Sequence, residues 1–186
     1  MNVRIKGQGF VGFMATLQRL HGADAHEKVL AGLPPEVAAA LRNGEIVPMG
    51  WYPVEWYSAL HTAARAVCGP GVSREVGRAA AQSDARTIYR FILKFFSPET
   101  LLGQSAKVFA LFCEGGSCKV EMARKGSARI RYGDCPGASR GMWEVICGGT
   151  DVLVELCGGR EVTVKPVGGG GDGDSVMIVQ VSWVDG

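Results

Sequence analysis

A chain of 186 residues that is 47% hydrophobic and 20% charged can bury a core of its own and is not a disordered segment. Its 27 glycines exceed the usual share but follow no collagen-like period. With 20 basic and 18 acidic residues the net charge is +2, too weak a bulk field to hold nucleic acid or an anionic membrane unaided.

In chain order, Val3 to Ile5 read as a short strand or lead-in. Phe10, Phe13, Met14, Leu17 and Leu20 then recur at helical spacing, with a stop near Gly22. A second short helix is expected over residues 26–30, and Pro34-Pro35 opens a third that Gly44 ends. In WYPVEWYSALHTAARAVCG, Pro53 opens a helix whose buried side is assigned to Trp56, Leu60, Ala63, Ala64 and Val67. A long helix follows over residues 73–96, its apolar end carrying Phe91 and Phe95. Ser97 and Pro98 then cap and start another, leading into Val108 to Phe112.

Beyond Phe112 the period changes to two. Cys118, Val120 and Met122 alternate with charged residues, as do Ala128, Ile130 and Tyr132, so a hairpin turns at Lys125-Gly126 and sets Glu121 near Arg129 or Arg131. A helix is expected over residues 139–147 with Gly148-Gly149 as its stop. Strands follow at 152–156, 161–167 and 176–184, the last two joined by GGGGDGDS as a flexible hairpin loop. The predicted fold class is α+β, in one domain: a helical part (about 7–112) packed on an antiparallel sheet of four or five strands with one inserted helix (about 117–184).

No stretch reaches the roughly 18 apolar residues of a transmembrane segment. The N-terminal residues lack a secretory pattern, so a cytoplasmic location is expected, with the six cysteines reduced. Cys113, Cys118, Cys135 and Cys157 are the candidate metal ligands, zinc being the metal, against the alternative of buried thiols. The glycine run at 168–171 leads into a strand, not a helix, which excludes a phosphate loop. Arg74, Arg78, Arg86, Arg90 and Lys94 form two basic patches, able to dock an acidic partner or simply to meet solvent. The aromatic cluster Trp51, Tyr52, Trp56 and Tyr57 either anchors its helix or lines an apolar pocket. His61, one turn beyond Tyr57, joins Phe91 and Phe95 as a pocket candidate. Cys68 at the helix end is a candidate lipid acceptor or a plain thiol.

The segments FVGFMATLQRL, EIVPMGWYPVEWYSALHTAAR, GRAAAQSDARTIYRFILKFFSPETLL and RIRYGDCPGASRGMWEVICGG, with a final strand ending VSW, resemble the myxobacterial paralogous family DUF2378 over about residues 8–183. More distantly, the element order and VELCGG are similar to the superfamily of V4R domains, Bet3-like TRAPP subunits and haem NO-binding domains. That resemblance implies a V4R/Bet3-like ligand-binding or interaction fold, often dimeric, with an apolar cavity between helices and sheet. The haem branch brings a proximal histidine and a YxSxR motif. Here no histidine follows His61 and YxSxR is absent, which speaks against haem. The V4R branch carries a cysteine-rich C-terminal motif that Cys135 and Cys157 match in part.

No catalytic constellation is apparent. The expected function is a non-catalytic cytoplasmic sensor or adaptor, a homodimer or partner-binding module, that binds a small apolar ligand such as a lipid, or a protein. The alternative is a cysteine-dependent zinc protein or enzyme.

Overall fold

The computed structural model describes residues 2–84 and 96–185. Strand β1 (Arg4–Lys6) runs straight into helix α1 (Gly7–Ala31), followed by α2 (Pro35–Arg42), β2 (Trp51–Pro53), α3 (Val54–Cys68) and α4 (Val72–Asp84). Beyond residue 95 come α5 (Pro98–Leu102), α6 (Ser105–Phe112), β3 (Cys113–Glu114), β4 (Ser117–Arg124) and β5 (Ser127–Gly133). Helix α7 (Arg140–Leu156) and the strands β6 (Gly159–Gly169) and β7 (Met177–Asp185) complete the order. The fold is α+β, as the change of period predicts.

The spaced apolar residues of α1, Phe10, Phe13, Met14 and Leu17, are buried together. Gly22 adopts a φ of 84° and breaks the helix there, so the two expected helices abut across a kink. At the start of α1 the amides of Gly7 and Gln8 donate to the Gly50 and Pro48 carbonyls, both at 2.9 Å, which satisfies helix-end donors that lack an intrahelical partner. A Cβ at Gly7 would lie 2.0 Å from the Val47 carbonyl oxygen, so this approach requires glycine. Ser97 caps α5 as its position predicts, its hydroxyl accepting from the Thr100 amide at 3.3 Å.

The buried face of α3 differs from the sequence assignment. Tyr57 and His61 face inward with Val54, Leu60, Ala63 and Ala64, whereas Val67 is exposed and Trp56 is half-buried. The cause is the strand before the helix: β2 fixes Tyr52, and Trp56 stacks on it from outside at 6.2 Å.

Two antiparallel sheets form where one was expected. The first has the order β2-β1-β3 and the second β4-β5-β7-β6. The three strands of the first are two or three residues long, too short to show alternation in sequence. In the second sheet Glu121 pairs with Arg129 at 3.1 Å across the predicted hairpin. Its inner face buries Ile130, Val179 and Val181, in one hydrophobic cluster with Trp143 of α7 and with Phe10, Leu17 and Leu60 of the helical layer.

Helix α7 overturns two expectations. Gly148-Gly149 does not end it, and residues 152–156, read as a strand, are its last turns. The glycine at 148 serves a helix crossing: a Cβ there would lie 2.2 Å from the Arg74 carbonyl oxygen of α4. Gly77 plays the reciprocal part, since its Cβ would lie 2.4 Å from the Val145 carbonyl oxygen. Beside this crossing, Arg74 donates to the buried Asp151 carboxylate at 2.8 Å and to the Val164 carbonyl at 2.9 Å, and Arg78 bridges Asp151 and Glu155. Arg74 and Arg78 therefore brace α4 against α7 and do not form a free basic patch. Arg86, Arg90 and Lys94 lie outside the described residues.

The glycine-rich loop after β6 is not a flexible tip. Asp172 accepts from the Arg140 amide at 2.9 Å, and Gly173 donates to the Ala138 carbonyl at 3.3 Å, so the loop caps α7 alongside Ser139. No helix among the described residues is long and apolar enough to cross a membrane.

Candidate functional site

The helices, with Ile5, Cys113 and Tyr132 from the strands, line a mainly apolar cavity of about 500 Å3 that is open on one side. That lies within the roughly 300–1,000 Å3 typical of small-molecule and cofactor sites. Among the described residues its walls include Ile5 and Phe13, Tyr57 of α3, Val76 of α4, Leu102 and Phe109 of the α5–α6 segment, Tyr132 of β5, and Met142 and Ile146 of α7. Small residues leave the room. Gly9, Gly12, Gly149 and Ala80 all lie on the lining, and a Cβ at Gly149 would meet nothing within 4 Å.

Among the pocket candidates named from sequence, Tyr57 lines this cavity. His61 sits one layer behind, its ring 4.5 Å from Phe13 and 4.4 Å from Tyr57, with Nδ1 2.8 Å from the Ser73 hydroxyl. Its Nε2 is buried without a partner, and burial pushes the imidazole down to about 3, so it is neutral at pH 7. Trp51, Tyr52 and Trp56 lie away from the cavity lining. Trp51 carries the Lys6 ammonium over its ring at 4.6 Å. The Tyr52 hydroxyl donates to the Glu45 carbonyl and accepts from the Val47 amide, both at 2.8 Å, so it organises the 45–52 turn. Cys68 ends α3 half-buried and away from the lining, and burial raises its thiol pKa. Phe91 and Phe95 lie outside the described residues.

The four cysteines named as a metal set do not gather at one point. Among the described residues no group of three or more His, Cys, Asp or Glu side chains could hold a metal ion. Cys118 pairs in register with Tyr132 on the β4–β5 hairpin, and Cys157 closes the C-terminal end of α7. Burial raises both thiols to about 11.

Cys113 and Cys135 do meet. A Cβ built on Gly116 would lie 2.8 Å from the Cys113 sulfur and 2.7 Å from the Cys135 sulfur, so the two sulfurs flank one glycine. Both are buried, and Cys113 is part of the cavity wall. The Cys135 thiol donates to the Gly133 carbonyl at 3.2 Å and lies beside the Cys113 sulfur. Donation from Cys135, opposed by burial and joined by the Gly116 amide, holds the Cys113 thiol below the ordinary range, while Cys135 itself is driven up. The phenols of Tyr57 and Tyr132, the latter also on the lining, are driven up by burial and stay neutral. Cys113 thus stands beside a second buried thiol at the edge of the cavity wall. Its pairing with Cys135 across 22 positions carries no spacing motif, which is why the sequence did not single it out.

No protein-family model matches the chain, and no curated protein matches it in sequence. The DUF2378 resemblance gains no support from these comparisons. Solved structures place its fold in a class, that of H-NOX domains, the haem NO-binding branch of the resemblance. An Fe(II) unliganded H-NOX protein from K. algicida is 16% identical with a TM-score of 0.69, covering 98% of each chain. Its A71G mutant is 14% identical with a TM-score of 0.72, over 97% of each chain. An oxygen-binding H-NOX domain related to soluble guanylate cyclases, solved with oxygen, is 18% identical with a TM-score of 0.64, over 97% of this chain and 96% of that one.

These structures overturn the expectation against haem. The missing histidine motif was its ground, yet the chain keeps the fold of H-NOX proteins, a family in which haem distortion has been probed, over almost its whole length. The cavity has the volume and mainly apolar lining of a cofactor site, and among the described residues its lining carries no histidine and no basic side chain. Its lining differs from the motif: His21, His26 and His61 are all off it.

Proposed function

We propose that this chain is a sensor-type ligand-binding domain whose cavity takes haem. The observation that carries the reading is the apolar cavity of about 500 Å3 between helices and sheet, supported by the fold it shares with H-NOX domains. Haem, when bound, supplies an iron atom able to take a small diatomic gas. The chain's own part is to bind, orient and exclude water. Ile5, Phe13, Leu102 and Phe109 remove apolar surface of the ligand from solvent, and Gly9, Gly12 and Gly149 let a flat face approach the helix backbones. The neutral phenols of Tyr57 and Tyr132 offer hydrogen-bond donors at fixed points on a mainly apolar wall.

Metal-free protoporphyrin tests the cavity without any contribution from iron. Saturable one-to-one quenching of the tryptophan fluorescence on titration is the expected result, and no uptake by the folded chain would remove the reading.

A further inference from the structure

We infer that Cys113 and Cys135 are a redox modification site, a buried thiol pair that closes to a reversible disulfide when the protein meets a small peroxide. The pairing of the two side chains is independent of what fills the cavity. A Cβ at Gly116 would lie 2.8 Å from the Cys113 sulfur and 2.7 Å from the Cys135 sulfur, so the sulfurs are separated by no more than the sum of those two reaches. Both thiols are free and buried. Glycine at 116 leaves the room for them, since any side chain there would overlap both sulfurs.

The backbone is pinned on each side of the pair. Cys113 starts β3 and pairs with Ile5 of β1. Cys135 follows Asp134, whose φ of 56° is uncommon for a residue with a side chain and turns the chain out of β5. The Cys135 amide then donates to the Ser175 carbonyl, and its own carbonyl accepts from the Ala138 amide, both at 3.1 Å. Folding has thus already brought the two ends of the 113–135 loop together, so a bond between them costs no further loop-closure entropy. The other four cysteines stand elsewhere: Cys68 and Cys157 at the ends of α3 and α7, Cys118 on β4, and Cys147 with its thiol 3.9 Å from the Met177 sulfur.

Burial restricts the oxidant to a small molecule, and hydrogen peroxide is of that class. Cys113 belongs to the wall of a cavity open on one side, and Gly116, in contact with both sulfurs, is half-exposed. The Cys113 sulfur attacks one peroxide oxygen, the O–O bond breaks and water leaves, with Cys113 as its sulfenic acid. The Cys135 sulfur then attacks that sulfur. The S–S bond forms, the S–O bond breaks and a second water leaves. Together the two thiols give up two protons and two electrons, all taken up by the peroxide, and a dithiol reductant reverses the step by exchange. The product ties the first sheet, through β3, to the turn that leads from the second sheet into α7.

The test treats the reduced full-length chain with hydrogen peroxide and reads its intact mass and its cross-linked peptides. Wild type should lose about 2 Da, yield a linked pair of peptides containing Cys113 and Cys135, and regain its mass with dithiothreitol. Cys113→Ser and Cys135→Ser should lose no mass, while Cys68→Ser should behave as wild type. Cooperative thermal unfolding before oxidation shows which variants fold, and the wild-type linkage decides the matter without them. A gain of about 16 or 32 Da in place of the loss, a link through any other cysteine, or a wild-type mass unchanged under conditions that oxidise free cysteine would overturn the inference.

Discussion

His61 shows how one buried side chain ties acid stability to the fold. Its neighbours are Phe13, Tyr57 and Ser73, from three different helices, and its pKa is lowered from 6.5 to about 3. The unfolded chain therefore takes up a proton near pH 6.5 that the folded chain refuses until about pH 3. Stability from this group is present in full above pH 6.5 and falls as pH falls through that window, by about 1.4 kcal/mol per unit. His61→Asn, which keeps a polar atom near Ser73, should lower stability at pH 7 yet flatten the loss toward pH 4, as urea unfolding at a series of pH values would read. The one-turn spacing of Tyr57 and His61 is legible in sequence. Their burial is not, because Ser73 and Phe13 reach them only through packing. The same holds for Cys113 and Cys135, whose meeting depends on the turn at Gly116 and not on any spacing.

Within α7, two adjacent glycines have opposite tasks. Gly148 meets the backbone of α4, where an added Cβ would lie 2.2 Å from the Arg74 carbonyl oxygen, and Gly149 opens onto the cavity with nothing in reach. Gly148→Ala should destabilise by about 3 kcal/mol or more, since two packed backbones must separate. Gly149→Leu should leave stability unchanged or raise it by up to about 1 kcal/mol through helix propensity, while its side chain blocks protoporphyrin uptake. Thermal unfolding and the quenching titration check the pair. This is also where the sequence misleads. A Gly-Gly pair following an amphipathic run has the signature of a helix stop, and only the approach of α4 reveals why glycine stands there. Where the residues act through local chemistry the elements are readable: the Ser97 cap, the kink at Gly22 and the hairpin about Lys125-Gly126 all fall where their side chains and periods predict.

For the whole molecule, the second sheet follows from patterns visible along the chain and the apolar cavity from the family resemblance, but the pairing of the first sheet follows from neither. Only the strand near Val3 to Ile5 is suggested by the sequence; all three are two or three residues long, and they come from three distant places. Ile5 pairs with Tyr52 on one side and with Cys113 on the other. The cavity wall inherits this layout, since Ile5 and Cys113 both belong to it. A fragment of residues 1–112 has the first pairing but lacks the second and the whole second sheet. It should show no cooperative thermal transition by circular dichroism where the full chain does.

That small sheet also sets an order of events during synthesis. Its central strand leaves the ribosome more than a hundred residues before one of its two flanking strands, Cys113 and Glu114, is made. Until then α1, continuous with that strand, has no complete surface on which to seat Phe10 and Phe13, and its apolar face stays open to whatever else is nearby. A segment made early is thus finished late, and a pause in translation before residue 113 would prolong the interval in which misassembly competes with folding.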